Sequence, residues 1–352
     1  MLGGSRSICL GLMVSVALSA CGGSGDSSEE EASIGCGEAP ASPSVTMTYQ
    51  VAYSSDGGVA ETADVICDRL EARGLEGQVS NPSDDSIDVT LARDDARDFA
   101  AGLISQGSIY FYDFEPSVVP LTAGLKPGEV TPGDLEEQST DSQLDAVEVA
   151  SRQPPSGCDE CSSPSPSYYL FEEDGKRLAG PTSSKVGALA LAAVDSPKSG
   201  QKLLDVPIGT IVVSDSTDGS KTRYFVLRDD PALSGADITD PVQGIDQATN
   251  APNVSFGFTD EGAAAFQAVT RDIAQRGLES GGGEPYSLAV VVDDEIVSRP
   301  IIDPNENPDG IDGSTGAQIS GGLTATEAQQ LAATLQAGSL PASLQLNGVS
   351  TG

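Results

Sequence analysis

The sequence predicts an α+β protein, and three observations carry that prediction. Short runs of alternating apolar and polar residues recur along the chain, as half-buried strands require. They are interleaved with segments whose apolar residues return every three to four positions, the period of a helix buried on one side. The C-terminal third adds matched start and stop signals around its helices and a two-residue turn between two apolar runs.

In order, Thr46 to Tyr53 alternates and reads as a strand. Val59 to Arg73 reads as a helix with Ala63, Ile66, Cys67 and Leu70 on one face, ended by Gly74. Ile87 to Leu91 is a short strand, Asp95 to Ser105 a second helix, and Ile109 to Phe114 an aromatic-rich strand. This order, strand-helix-strand-helix-strand, predicts one compact layer over residues 45–114. Residues 115–222 are richer in Pro, Gly, Ser and acids and read as a variable, partly ordered insertion. Within it Leu144 to Ala150 and Lys185 to Val194 suit helices and Thr210 to Val213 a strand.

Beyond the insertion the signals agree with one another. Arg223 to Leu227 and Val254 to Phe258 read as strands. Thr259 is an N-cap candidate for a helix with Gly262, Phe266, Val269 and Ile273 on one face. Tyr286 to Val292 and Glu295 to Ile302 flank Asp293-Asp294 and read as a hairpin. Thr324-Ala325-Thr326-Glu327 is a capping box opening a last helix, whose apolar face is Ala328, Leu331, Ala332 and Leu335. Gly338 suits its C′ position and Pro341 its stop.

The N-terminus speaks to location. Thirteen mostly apolar residues, Ile8 to Ala20, follow Arg6. A membrane-spanning helix needs about 20 apolar residues, so the run suits the core of a secretory signal over residues 1–20. It ends Leu18-Ser19-Ala20-Cys21, the pattern of a lipobox, in which the cysteine thiol takes the lipid. Cys21 is therefore the expected lipidation site, with the body held on the extracytoplasmic side of a membrane by lipid alone. Two acyl chains would be needed for a stable hold, because one gives only reversible binding. Residues 21–44, with Gly-Gly-Ser-Gly and three consecutive glutamates, read as a flexible acidic tether. That leaves about 310 residues for the body, enough for two or three subdomains.

Charge and composition remove whole classes of function. The formal net charge is −35, and loss of residues 1–20, which hold Arg6 and no acid, makes it −36. Such a surface repels phosphate backbones and anionic headgroups, which excludes nucleic acid as a partner. Calcium and basic polypeptides stay open, and a solubilising surface alone would look the same. There is no histidine, so Ser-His-Asp and Cys-His catalysis and His-ligated zinc are excluded.

Six cysteines are present. Cys9 leaves with the signal and Cys21 takes lipid. Cys36, Cys67, Cys158 and Cys161 remain, which allows three pairings. Cys36–Cys67 with Cys158–Cys161 is the preferred set. The first would tie the tether's end to the first helix, and the second would staple a Pro/Ser-rich loop. A four-thiolate metal site and a redox C-x-x-C are the alternatives.

Other candidate chemistry is weak. From Asn305 the segment Asp303 to Asp312 offers Asn, Asn, Asp and Gly at EF-hand positions 1, 3, 5 and 6, but position 12 is Gly316 and not a bidentate Glu. It reads as a polar loop. Gly281-Gly282-Gly283 lacks a P-loop ending and reads as a linker, and Asp293-Asp294 reads as a turn. No catalytic residue, cofactor or resident metal is expected, and no enzyme activity.

Several runs nonetheless form a recognisable series: Ala232 to Asp237; Val254 to Ala263; Thr270-Arg271; Leu288 to Asp293; Ile296 to Ile302; Gln318 to Thr324; and Leu335 to Ala342. Together they resemble, in order, the first extracytoplasmic domain of SecD, a subunit of the bacterial protein-export translocase. Ala60 to Phe114 resembles that family's first α/β unit more loosely. The resemblance implies a base and a head, each a small mixed sheet with packed helices. Residues 45–114 would be base-like, 223–347 the head and 348–352 a tail. It further implies a domain that holds an emerging preprotein, so the expected partners are translocating polypeptide or the Sec translocase.

The chain departs from the family in several places. A lipoprotein signal stands where the family has its first membrane helix, and the glycine-rich motif after that helix is missing near Thr48-Tyr49-Gln50. Arg299 replaces a usual small residue, Gln336 a usual Arg and Leu323 a usual Phe. The family's membrane helices after the leucine-proline segment have no counterpart before Gly352, so this sequence is not expected to couple a proton gradient by itself. The rival reading is an envelope structural or interaction module that reuses the fold outside export.

Overall fold

A computed structural model of the chain describes residues 35–352, without 41–43, 52–57, 73, 84, 93–108, 122–123, 158–160, 164, 193, 218, 220, 248, 281–282, 321–322 and 338–343. The elements begin with β1 (Gly35–Gly37), β2 (Ser44–Val51), α1 (Gly58–Ala72), β3 (Gly77–Ser83) and β4 (Ser86–Ala92). Next come β5 (Ile109–Asp113), α2 (Phe114–Ser117), α3 (Gln143–Ala150), β6 (Ser167–Phe171), β7 (Arg177–Thr182), α4 (Lys185–Leu191), β8 (Lys202–Val206) and β9 (Thr210–Asp215). The remainder is β10 (Arg223–Arg228), β11 (Leu233–Ser234), β12 (Ile238–Ile245), β13 (Pro252–Phe258), α5 (Asp260–Glu279), β14 (Tyr286–Val292), β15 (Glu295–Ser298), β16 (Ile301–Ile302), β17 (Ala317–Ser320), α6 (Ala325–Ala337) and β18 (Leu344–Thr351). The architecture is mixed α+β, with four sheets among the described residues and the helices packed on them.

The first sheet has the order β1-β3-β4-β2-β18. Along β2 the residues Val45, Met47, Tyr49 and Val51 are buried and their neighbours are not, the alternation of a strand with one face in a core. They pack with Ala63, Ile66 and Leu70, the α1 face the periodicity predicts. Cys36 on β1 and Cys67 on α1 are joined by a disulfide. α4 packs against β18, and Ala188 and Leu191 enter the same core.

The largest sheet runs β10-β9-β15-β14-β5-β11, with β16 also pairing β14. All seven residues of β14 are buried, because this central strand is covered on both faces. Leu288, Val290 and Val292 meet Phe266, Val269 and Ile273 of α5, whereas Ala289 and Val291 meet Tyr112, Phe114 and Phe225. A three-stranded sheet, β12-β13-β17, and α6 close the first of these cores with Val254, Phe256, Ile319, Ala328 and Leu331. The last sheet is β7-β6-β8, packed on α3.

The structure corrects the division of the chain in three places. β5 does not close a layer over 45–114; it pairs β14, with Phe111 opposite Val290. Ile109, Phe111 and Tyr112 are all buried, and only a strand covered on both faces satisfies so many apolar neighbours. β18 is neither head nor tail: it returns to β2, with Val349 opposite Met47. The stretch 115–222 is no partly ordered insertion among its described residues. It supplies a whole sheet and β9, which pairs β15 in parallel. The predicted helix Asp95 to Ser105, and Gly338 and Pro341, lie outside the described residues.

Candidate functional site

The predicted site residues separate at once. Cys21 and Cys158 lie outside the described residues. Cys161 is disulfide-bonded, and its Sγ sits 3.4 Å from the Asp229 carbonyl oxygen. The acidic loop after β16 folds down on α5. Ile311 N donates to Thr270 Oγ1 (2.8 Å) and Arg271 Nε to the Asp309 carbonyl (3.3 Å). Its carboxylates serve local turns: Asp303 Oδ1 accepts from Asn305 N and Asp312 Oδ1 from Ser314 N. Among the described residues no group of three or more His, Cys, Asp or Glu is placed to hold a metal ion.

Asp293 and Asp294 form the predicted turn, both with positive φ (51° and 61°), the geometry of a tight hairpin connection. Sequence reasoning missed what lies beneath it. A cavity of about 20 Å³, room for roughly one water, is lined by Tyr110, Ser162, Ser163, Tyr169, Asp293 and Asp294 among others. Burial, with the neighbouring charges of Asp293 and Asp229, pushes the Asp294 carboxyl up to about 7, against a smaller pull from Arg177. Asp229 is 1% exposed. Its carboxylate accepts from Tyr112 Oη (2.9 Å), Ser162 N (2.9 Å) and Ser163 N (3.1 Å). Burial raises its pKa, and these bonds oppose that rise. The arrangement clamps the loop beside Cys161 onto the large sheet.

One sheet edge that carries exposed apolar side chains is the outer edge of β12. Val242 is 53% exposed and Ile245 46% exposed, among the few large apolar side chains left in solvent. Among the described residues β12 pairs β13 alone, which makes it an edge strand of its sheet. Its register breaks between Thr239 and Val242, where Asp240 has φ 50° and Pro241 follows. The break reverses the pleat. Thr259 N donates to the Asp237 carbonyl before it, and Asp246 N to the Ala251 carbonyl after it. By the alternation of an antiparallel ladder, Val242 and Gly244 then direct their backbone groups at β13, and Gln243 and Ile245 direct theirs outward. The Pro241 carbonyl accepts from Gln336 Nε2 of α6 (2.7 Å), and among the described residues no strand pairs the outward side of Val242 to Ile245.

The sequence on either side of this strand is acidic, between Arg228 and Arg271 and again after Arg299. Residues 229–270 hold seven acids and no Lys or Arg, and residues 300–352 five acids and no Lys or Arg. Asp240 and Asp246 stand at the two ends of the open stretch. The Asp246 carboxylate accepts from Thr249 N (2.8 Å) and from Gln318 Nε2 (3.0 Å) of β17, on the far side of β13, and Gln318 Oε1 in turn accepts from Asn253 Nδ2 (2.9 Å).

Residues 210–342, from β9 to just past α6, match the family model for the SecDF P1 head subdomain. The C-terminal region of this chain is SecD-like. The protein translocase subunit SecD of Rickettsia felis is 30% identical over 141 residues, 40% of this chain and 24% of the relative. SecD of Acetobacter pasteurianus is 35% identical over 140 residues, 40% of this chain and 23% of the relative. SecD of Aquifex aeolicus is 30% identical over 178 residues, 50% of this chain and 31% of the relative. The match thus spans a quarter to a third of these relatives. Among solved structures, SecDF in its super-membrane-facing form aligns with a TM-score of 0.40 at 18% identity, covering 88% of this chain and 30% of that chain. A second, of the membrane component SecDF that enhances protein export, aligns at 0.39 and 17%, covering 86% and 98%.

Two of the SecD departures have local explanations. Arg299 lies over the Phe114 ring (5.3 Å to its centroid) with Nε 3.2 Å from Asp215 Oδ2, and so braces β15 against α2 and β9. Gln336 reaches the kink of β12. No helix among the described residues is long and apolar enough to cross a membrane.

Proposed function

We propose that this chain is a non-enzymatic, lipid-anchored accessory of protein export, which binds translocating polypeptide or the Sec translocase through its SecD-like head. One observation carries the reading. The segment matching the SecDF P1 head contains an edge strand with solvent-facing apolar residues, and the run of sequence that holds this strand, residues 229–270, has seven acids and no Lys or Arg. Acidic surface steers basic chain segments toward it. Lipid on Cys21 would hold the body at the extracytoplasmic face and raise its effective concentration near a translocation exit. The first sheet with α1, α4 and β18 then serves as the base and the large sheet with α5 and α6 as the head.

In-cell crosslinking of the lipidated protein, followed by mass spectrometry of its partners, tests this. Recovery of translocase subunits, or of many unrelated exported chains, is expected. Recovery of cell-wall or envelope components alone would assign the fold to an envelope role outside export. Cys21→Ala is expected to release the protein from the membrane fraction, and persistence of labelled lipid on that variant would remove the anchor from the reading.

A further inference from the structure

We propose that the Cys36–Cys67 disulfide is a thiol-sensitive latch that fixes where the N-terminal tether leaves the folded body. With the bond intact, the tether ends at Cys36 on β1. Once a dithiol reductant opens it, β1 leaves the sheet and the tether runs on to β2 at Ser44. The inference rests on the lipid anchor proposed above for what the latch controls, which is the reach of the body from the membrane.

The make-up of β1 is the first argument. The strand is Gly35-Cys36-Gly37, at the edge of the first sheet, paired with Ser80, Val79 and Gln78 of β3. Cys36 supplies its one side chain, and the sulfur of that side chain is in the disulfide. Neither flanking position has room for another. A Cβ at Gly35 would stand 2.1 Å from the Val79 carbonyl oxygen, and one at Gly37 2.0 Å from that of Gly77. Gly35 and Gly37 are exposed, as are Glu38 and Ala39 after them. Glycine in a strand adds backbone entropy to its cost and packs nothing, so this short edge strand has little hold of its own.

The other end of the bond is seated differently. Cys67 lies on α1, where Ala63, Ile66 and Leu70 are at most 3% exposed and pack into the core with β2. Opening the bond therefore leaves α1 in place and releases β1 alone. Both cysteines are half-buried, so a thiolate can reach the sulfurs. The thiolate of the reductant attacks one sulfur, and the other leaves as a thiolate and takes a proton. The second thiol of the reductant then displaces the mixed disulfide. The protein gains two electrons and two protons as two thiols, and the reductant leaves as its disulfide.

The outcome is a change in reach. Cys36 lies fifteen residues beyond Cys21, and Ser44 eight residues further. At roughly 3.3–3.6 Å per extended residue, the longest span from lipid to body rises from about 50 Å to about 80 Å. A longer tether also dilutes the body near its anchor, so opening the latch lowers its effective concentration at the membrane face.

Hydrogen exchange of the full-length lipidated chain in detergent micelles, with and without dithiothreitol, reads the latch. Exchange across Gly35–Gly37 is expected to quicken at least tenfold on reduction, with α1 and β2 unchanged. The double variant Cys36→Ser, Cys67→Ser is expected to show the same without reductant, which separates this bond from the disulfide at Cys161. On phosphatidylcholine vesicles carrying an acceptor lipid, energy transfer from a dye at Gly352 is expected to fall in that variant. Unchanged exchange in β1 would mean that the sheet holds the strand unaided, and the latch is then wrong. Faster exchange in α1 as well would make the bond part of the fold and also overturn the latch. Equal energy transfer for wild type and variant would overturn the change in reach. Failure of the wild-type chain to attach to vesicles would instead remove the anchor, and with it the membrane reach, while exchange still decides whether β1 is latched.

Discussion

Arg276 and Asp113 form a two-pronged ion pair, with Nη1 donating to Oδ1 at 2.8 Å and Nη2 donating to Oδ2. It joins the C-terminal half of α5 to the end of β5 across 163 residues of sequence. The guanidinium also lies over the Tyr286 ring, 5.3 Å from its centroid. Both side chains are partly shielded, at 30% and 23% exposure, so the pair is screened less than a surface bridge. Arg276→Met is expected to destabilise by about 1–3 kcal/mol, the range for hydrogen bonds to charged groups. Chemical denaturation of Arg276→Met, Asp113→Asn and the double variant gives the coupling. A coupling near zero would show that the pair does not hold α5 to the sheet.

What the sequence revealed and what it hid follow from the range of each interaction. Thr259 capping α5, the apolar face Phe266-Val269-Ile273 and the Asp293-Asp294 hairpin are written within a few residues of one another, and each is as expected. Strand partners are not written locally. The alternation in β2 says that one face is buried but cannot say that its neighbour is β18, about 300 residues on. β12 left a weak trace, because Pro241 and Gly244 interrupt its pattern. A proline inside an extended run is itself the mark of an edge strand, and that signal could have located the candidate edge. The cavity under Asp294 had no sequence trace, because its lining comes from five separate segments.

At the start of α6 the capping box is closed in both directions. Thr324 N donates to Glu327 Oε2 (2.7 Å) and Glu327 N to Thr324 Oγ1 (3.2 Å). Thr324→Ala is expected to cost about 1 kcal/mol through the lost cap, seen as a lower denaturation midpoint. The bonds from Thr324 hold the Glu327 carboxyl below its usual range. A lowered carboxylate stabilises above its unfolded pKa and loses that contribution as pH falls through the folded value. The wild-type advantage over Thr324→Ala should therefore shrink at acid pH, and an unchanged midpoint would place the helix start elsewhere.

Gly310 shows why the loop after β16 lies flat on α5. Its φ is +82°, and a Cβ there would stand 2.2 Å from the Gln267 carbonyl oxygen and 2.9 Å from Arg271 N. Both are helix backbone and cannot move aside. Gly310→Ala is expected to cost about 2–4 kcal/mol, combining left-handed strain with overlap. Gly74→Ala is the control: φ is +64° there, but nothing stands within 4 Å, so only strain of about 1–2 kcal/mol remains. Equal losses at the two positions would mean that the loop is not seated on α5.

Asp294 makes stability depend on pH near neutrality. Its folded-state pKa of about 7 lies above the ordinary value of 3.8, chiefly because its carboxyl is desolvated and also because Asp293 and Asp229 repel its charge. The native state therefore holds this proton more tightly than the unfolded chain does. The cost of ionising Asp294 is fully present above about pH 7 and is relieved as pH falls toward the unfolded value. Asp294→Asn removes the charge and is expected to raise stability at pH 8 while changing it less at pH 5. Asp229 and Glu115, whose carboxyls burial also raises, remain in both proteins, so the difference between the two slopes isolates Asp294. Urea midpoints from pH 5 to 8 check this. Parallel slopes would show that Asp294 ionises as readily in the folded protein as in the unfolded chain, and that the cavity beneath the turn is wet enough to solvate its charge.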